Sequence, residues 1–230
     1  MRLRALLPDH HLSSETRDAV KLAVGMVVTM SALVLGLLVA SSKGAYDAER
    51  SEVTQMGAKV AFLDHLLVLY GPEAKDARTK LRSAIEQAIQ RIWPPDPGAS
   101  QIVTPNLQAG DAVLAAIQGL NARDETQKML KSQAMAATMD VGQLRALLVA
   151  QSVSSVSRPL VVILVIWLVV AFLSFGLYAP ANSTAISALV ISALSVSGAI
   201  FLILELDQPF RGMVRIPSDT MVQALQHMQP

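Results

Sequence analysis

Charge disappears from this chain in two long stretches. Neither Leu22–Ser42 nor Pro159–Leu204 contains an Asp, Glu, Lys or Arg, and the two stretches are 21 and 46 residues long. A helix rises about 1.5 Å per residue and needs about 20 residues to cross a bilayer, so the first stretch predicts one span and the second predicts two. Tyr178 to Asn182, with Pro180 between them, supplies the turn of a transmembrane hairpin. The predicted spans are 22–42, 159–178 and 183–204. Between the first and second spans the pattern changes to an amphipathic one. Val53, Met56, Val60, Leu63, Leu67 and Tyr70 recur at steps of 3, 4, 3, 4 and 3, the stripe of a bundle helix.

The polar punctuation sets the order of elements. Residues 1–21 form a polar lead-in, in which Pro8 ends any earlier helix and Ser13 or Ser14 can cap the next one. No proline occurs between Pro8 and Pro72, so the first span is expected to run on as one helix through the Val53–Tyr70 stripe. Gly71 and Pro72 turn the chain, and Pro72 suits the first position of a new helix. Ala74, Ala77, Leu81, Ile85, Ala88 and Ile92 form the next apolar stripe. The breaker Trp93-Pro94-Pro95-Asp96-Pro97-Gly98 ends it. Helical pattern resumes after Asn106 through Val113, Ile117 and Leu120, bends at Gly119 to Asp124, and continues through Leu130, Ala134, Met139, Leu144 and Leu148. Residues 43–158 therefore predict a bundle of three or four helices, and 205–230 a tail. In that tail Pro217 disfavours helix before itself, and Ser218 or Asp219 caps a short final helix. The expected fold class is all-α: a polytopic membrane protein with an extramembrane helical bundle inserted between the first span and a C-terminal transmembrane hairpin.

Small residues give the spans different faces. Gly25, Thr29, Ala32, Gly36 and Ala40 share one face of the first span. Ala181, Ala185, Ala188, Ser192, Ser195 and Ala199, at steps of 4, 3, 4, 3 and 4, form a seam along the third. Such faces let helix backbones approach closely in a bilayer. The seam is expected to meet the first span, either within a subunit or across a subunit boundary, which makes a homo-oligomer a candidate assembly. The second span is bulky and branched nearly all round, as suits a lipid-facing helix, with Val165 on that surface. Past the last span, Glu205, Asp207, Pro209, Phe210, Arg211 and Gly212 mark the membrane boundary. Two readings of the carboxylates stand side by side. They form a ring of charge at a pore mouth, or they hold the polar end of a span and pair with Arg211 or Arg215.

Composition narrows the function classes. A mean hydropathy of +0.43 and 52% hydrophobic residues belong to a membrane protein, so the lipid bilayer is the first partner. The net charge of +1 is spread without a basic block, so no nucleic-acid partner is expected. Cysteine is absent, which removes thiolate chemistry and disulfides. His10 and His11 are adjacent and diverge by about 100° on a helix, while His65 and His227 stand alone. No nucleotide-binding, zinc-protease or serine-hydrolase pattern occurs. The expectation is a non-enzyme without metal or cofactor. Arg2, Arg4, Arg17 and Lys21 draw the N-terminus to the cytoplasm and Arg211 and Arg215 draw the C-terminus there, a demand three spans cannot meet. The expected location is the cell (inner) membrane, multi-pass, with the bundle assigned to neither side.

The segments HHLSSETRDAVKLAVG, ALVLGLLVASSK, LYGPEAKDAR, SFGLYAPANST and ALSVSGAIFLILELDQPFRGMVRI resemble the bacterial bestrophin-like membrane family, over nearly the whole chain. In that family a further span usually precedes the HHLS segment, and Met1-Arg2-Leu3-Arg4 resembles its basic exit. The resemblance thus implies an upstream apolar segment and four spans. True bestrophins, pentameric anion channels, are more distant. Pro209, Phe210 and Gly212 are similar to their Pro-Phe-Gly piece, but the acidic run that binds calcium there is absent here, so calcium gating is not implied. Two functions follow as expectations: an oligomeric bestrophin-like ion channel or conduit, or a membrane-anchored helical scaffold or sensor without transport activity.

Overall fold

The computed structural model describes residues 14–94, 107–151, 157–179, 182–210 and 213–228. Their regular secondary structure is all helical, with no strand among the described residues. Helix α1 (Ser14–Tyr70) is followed by a 3-10 turn (Pro72–Ala74), α2 (Lys75–Ile92), α3 (Leu107–Gln118), α4 (Glu125–Gln151), α5 (Arg158–Tyr178), α6 (Ser183–Leu206) and α7 (Asp219–His227). The chain divides into two compact units, Met1–Ala45 with Ser155–Asp207, and Tyr46–Ser154 with Gln208–Pro230. Three helices among the described residues, α1, α5 and α6, are long and apolar enough to cross a membrane.

Helix α1 is the 57-residue continuation that the proline-free stretch predicts. Along it, Leu38, Ser42, Tyr46, Glu49, Val53, Met56, Val60, Leu63, Leu67 and Tyr70 form one buried stripe. After Tyr46 the steps alternate 3 and 4, so the same face stays inward for seven turns. At the end of the helix Gly71 adopts φ 113°, a left-handed conformation that favours glycine. Pro72 then opens the short 3-10 turn that leads into α2.

In the unit built from 46–154 and 208–230, Val60, Leu63 and Leu67 pack with Ala77, Leu81 and Ile85 of α2, Val113 and Ile117 of α3, Leu130 and Ala134 of α4, and Ala224 of α7. The short helix α7 closes on α1 at Gly57, where an added Cβ would lie 3.1 Å from the Thr220 Cβ and carbonyl oxygen. One expectation is corrected here. Met139, which the sequence groups with the apolar positions of α4, is 52% exposed, because it lies five residues from both Ala134 and Leu144 and so falls off the stripe of Leu130, Ala134, Ala137 and Leu148 that the bundle buries.

An ion pair fixes the α1–α2 pairing. Asp64, only 6% exposed, accepts from Arg78 Nε at 2.8 Å and from Nη2 at 3.2 Å. Tyr70 is buried, its hydroxyl has no hydrogen-bond partner among the described residues, and burial first, then the negative charge of Glu73, pushes its pKa above the ordinary 10.0. The fold thus holds this phenol protonated. Its contribution is complete below about pH 10 and is lost as the pH rises through the elevated value. Tyr70→Phe is expected to change stability at neutral pH by less than about 1 kcal/mol, since no hydrogen bond is lost. It should also flatten the alkaline limb, which a denaturation series from pH 8 to 11 would measure.

In the other unit, Leu38, Leu164 and Ile203 make a small buried cluster joining α1, α5 and α6. Pro159 sits in the first turn of α5, where its missing N–H costs nothing. Asn182 caps α6 by accepting from the Ala185 N–H at 2.8 Å.

Candidate functional site

Two regions predicted from sequence are the small-residue faces of the spans and the boundary after α6. On α1, Gly25, Thr29, Ala32, Gly36 and Ala40 are all exposed, and a Cβ added at Gly25 or Gly36 would meet nothing within 4 Å. The face that α1 buries within the chain is instead that of Val24, Ser31 and Leu38. On α6, Ala188, Ser192 and Ser195 are exposed, Ala185 and Ala199 are half-buried, and Ala181 lies outside the described residues. The α1–α6 contact within one chain runs through Leu38 and Ile203, beyond the seam, so the middle of the seam is left open.

The hydroxyls on these faces bond along their own helices. Ser192 donates to the Ala188 carbonyl and Ser195 to the Ile191 carbonyl, both at 2.9 Å. Thr29 donates to the Gly25 carbonyl, also at 2.9 Å. Their protons are thereby used, while oxygen lone pairs stay available on the open face. The faces are smooth and weakly polar. That character suits close helix packing in lipid, or the wall of a narrow water path between helices.

At the boundary, Glu205 lies in the last turn of α6 and Asp207 is its C-cap, its N–H donating to the Ile203 carbonyl at 3.2 Å. Both carboxylates are half-buried and engaged in interactions. Arg211 and Gly212 lie outside the described residues. Pro209 is buried, and Phe210 packs edge-on against Trp93 with ring centroids 5.9 Å apart. The Trp93 indole N–H donates to the Ile216 carbonyl at 2.7 Å, and the Ile216 N–H donates to the Pro209 carbonyl at 2.8 Å. The Tyr46 hydroxyl donates to the Arg215 carbonyl at 3.3 Å. The segment from Pro209 to Ile216 is thus strapped to Tyr46 of α1 and to Trp93 at the end of α2 by an aromatic pair and by side-chain hydrogen bonds to its main-chain carbonyls.

A model of the bestrophin-like domain matches residues 2–221. The chain belongs to the bestrophin-like family. Comparison with curated proteins and with solved structures gives no match.

Sequence reasoning on this family member passed over three residues of the boundary. Trp93 reads as part of a loop breaker, yet it holds both Phe210 and Ile216. Tyr46 and Glu49 lie between the first span and the Val53–Tyr70 stripe, and both are buried. For these two a signal existed: they extend the Val53–Tyr70 stripe upstream at steps of 3 and 4. Glu49 is an acid at a core position, and an acid placed there is conspicuous. No group of His, Asp and Glu suited to a metal ion occurs among the described residues.

Proposed function

We propose that this membrane protein assembles with copies of itself into a conduit for small ions, with the path running between subunits. One observation carries the reading: the small-residue faces of α1 and α6 are open in the single chain. In lipid, a face of Gly, Ala, Ser and Thr gains its stability from another helix rather than from acyl chains. The predicted spans hold no charged residue, so one chain offers no evident aqueous route, whereas hydroxyl-bearing faces brought together around an axis do. Membership of the bestrophin-like family supports the same direction. Selectivity then falls to the mouth, where Glu205 and Asp207 stand at the end of α6.

The test is ion flux in liposomes, with wild type beside a Glu205→Gln/Asp207→Asn variant. Wild type is expected to conduct, and the double variant to change the preference between cations and anions while keeping its melting temperature. Flux insensitive to the double change would remove the carboxylates from the mechanism. No flux from a confirmed oligomer would favour a second reading, a membrane-anchored helical scaffold or sensor. That reading draws on α1, which runs unbroken from the span into the bundle.

A further inference from the structure

The surface of the extramembrane bundle is divided by charge. On α2 half of the exposed residues are ionic, namely Lys75, Asp76, Lys80 and Arg91, as suits a helix that faces water. On α1 no exposed Asp, Glu, Lys or Arg occurs from Ser51 to Tyr70, and on α4 none occurs from Met129 to Ala150. Large apolar side chains stand there instead. Phe62 and Leu69 of α1 and Met129 and Leu147 of α4 are each between 48% and 56% exposed.

The two helices present these residues side by side. They run antiparallel in a register that two contacts fix: Gln127 Nε2 donates to the Tyr70 carbonyl at 3.1 Å, and Lys59 Nζ pairs with the Asp140 carboxylate. That register sets Leu69 level with Met129, Phe62 level with Ala136 and Ser51 level with Leu147. Met129, Ala136 and Leu147 share the side of α4 that carries Asp140, within about 40°, and Phe62 and Leu69 lie within about 80° of Lys59 on α1. The half-buried Lys59–Asp140 pair between the two rows cancels its own charge. From Ser51 to Leu69 the flank extends about 27 Å along α1, and two packed helices make it about 20 Å wide. That is about 500 Å² in plan and more as accessible surface, close to the roughly 800 Å² per partner of a standard interface. On α1 the flank also continues a face already open. Steps of 3 and 4 carry the small-residue face of the span, which ends at Ala40, through Ser51 and Ala58 to Phe62 and Leu69, opposite the buried stripe.

From this pattern we infer that the α1–α4 flank is an interface for a second copy of this chain, which presents the same flank across a two-fold axis. Charge selects the occupant. A partner with ionic groups at the contact would strand them against Phe62, Leu69, Met129 and Leu147, at a desolvation cost that nothing on the flank offsets. A surface that binds a bilayer sets Lys and Arg around its apolar residues, whereas Lys59 on this flank is engaged by Asp140. A second copy covers the flank with no charge left unpaired, and a two-fold axis brings one patch onto itself. The inference rests on the self-association proposed above and names where, outside the spans, the copies meet.

The chain has no cysteine, so single cysteines report the contact directly. Phe62→Cys, Leu69→Cys and Met129→Cys mark the flank, Lys80→Cys marks α2 and Ser192→Cys marks the seam of α6. All five positions are exposed, so the fold is retained. Each full-length protein, in phosphatidylcholine liposomes dilute enough to suppress chance encounters, is treated with a short bis-maleimide. The flank cysteines are expected to give cross-linked dimer at least about fivefold above Lys80→Cys. Adding Leu147→Glu to the Leu69→Cys protein places an acid on both sides of the contact and should weaken the dimer about tenfold or more, with the circular dichroism spectrum unchanged. Should that spectrum change, Ala136→Glu repeats the test at the middle of the flank. The inference is overturned if all three flank cysteines cross-link no better than Lys80→Cys, or if a folded acidic variant cross-links as well as its parent. Cross-linking at Ser192→Cys with none above background on the flank overturns this inference and leaves the proposed conduit standing. Cross-linking on the flank without any at Ser192→Cys supports the inference and removes the α6 seam from the contact. Cross-linking at neither overturns both the flank interface and self-association.

Discussion

Asp64→Ala is expected to destabilise the extramembrane bundle by about 3 kcal/mol, among the largest losses from any single substitution in this chain. The carboxylate sits on α1 within the α1–α2 contact and accepts both arms of the Arg78 fork, at 2.8 and 3.2 Å. Its side chain is 9% exposed and that of Arg78 27%, so neither charge is well hydrated. Removing the acid leaves the guanidinium in a poorly solvated position, and that desolvation, rather than the lost attraction, is the main cost. The estimate lies at the lower end for buried pairs because Arg78 keeps some access to water. The hydrogen bond to Asp64 raises the Arg78 pKa above its ordinary value despite the opposing effect of burial, so the arginine stays charged across the usable pH range. Replacing both residues by leucine is expected to cost much less than Asp64→Ala alone, since no unpaired charge remains. Urea unfolding followed by far-ultraviolet circular dichroism measures all three proteins. A loss below 1 kcal/mol for Asp64→Ala would show that Arg78 finds solvent freely.

Ala188→Leu and Ser192→Leu are expected to break the assembly while leaving the single chain folded. Both positions are exposed on α6, so a leucine meets no neighbour within the chain, and the harm should be confined to subunit contacts. Overpacking a tight interface costs about 1 to 3 kcal/mol. With every interface of a symmetric assembly carrying the change, that is enough to shift a micromolar oligomer toward smaller species. The control has to be chosen from the structure. Val165, which the sequence pattern places toward lipid, borders a groove between α5 and α6 together with Leu168, Val196 and Ile200. Val162, 56% exposed and outside that groove, is the cleaner position, and Val162→Leu should leave mass and stability unchanged. Mass photometry or light scattering on detergent-solubilised protein distinguishes the outcomes. Wild-type mass retained by both seam variants would exclude the seam as the subunit interface. Ion flux should fall with the assembly if the path runs between subunits.

Much of the local architecture follows from residue order alone, because it depends on backbone chemistry and near neighbours. Missing charge and a minimum length define the spans. The absence of proline lets α1 run from Ser14 to Tyr70, and Gly71 and Pro72 end it. Asn182 caps α6, and the Val53–Tyr70 stripe is buried as its spacing requires. The family, too, was legible in sequence, since its motifs extend over nearly the whole chain.

Tertiary structure alone decided which faces find partners, since periodicity shows that a helix has a face without showing what covers it. On α1 the small residues and the Val24, Ser31 and Leu38 stripe are both regular, and only the second is buried within the chain. Met139 is as apolar as its neighbours on α4 yet stays exposed, because the bundle covers the face of Leu130, Ala134, Ala137 and Leu148 instead. Trp93 is joined to Ile216 across more than a hundred residues, and no local rule pairs positions at that separation. The sequence by itself determined the three long apolar helices and the helix ends, which are set within a few turns of chain, and the family, which is set by motifs along nearly all of it. The strap and the open membrane faces came only from packing, where side chains distant in sequence compete for the same space.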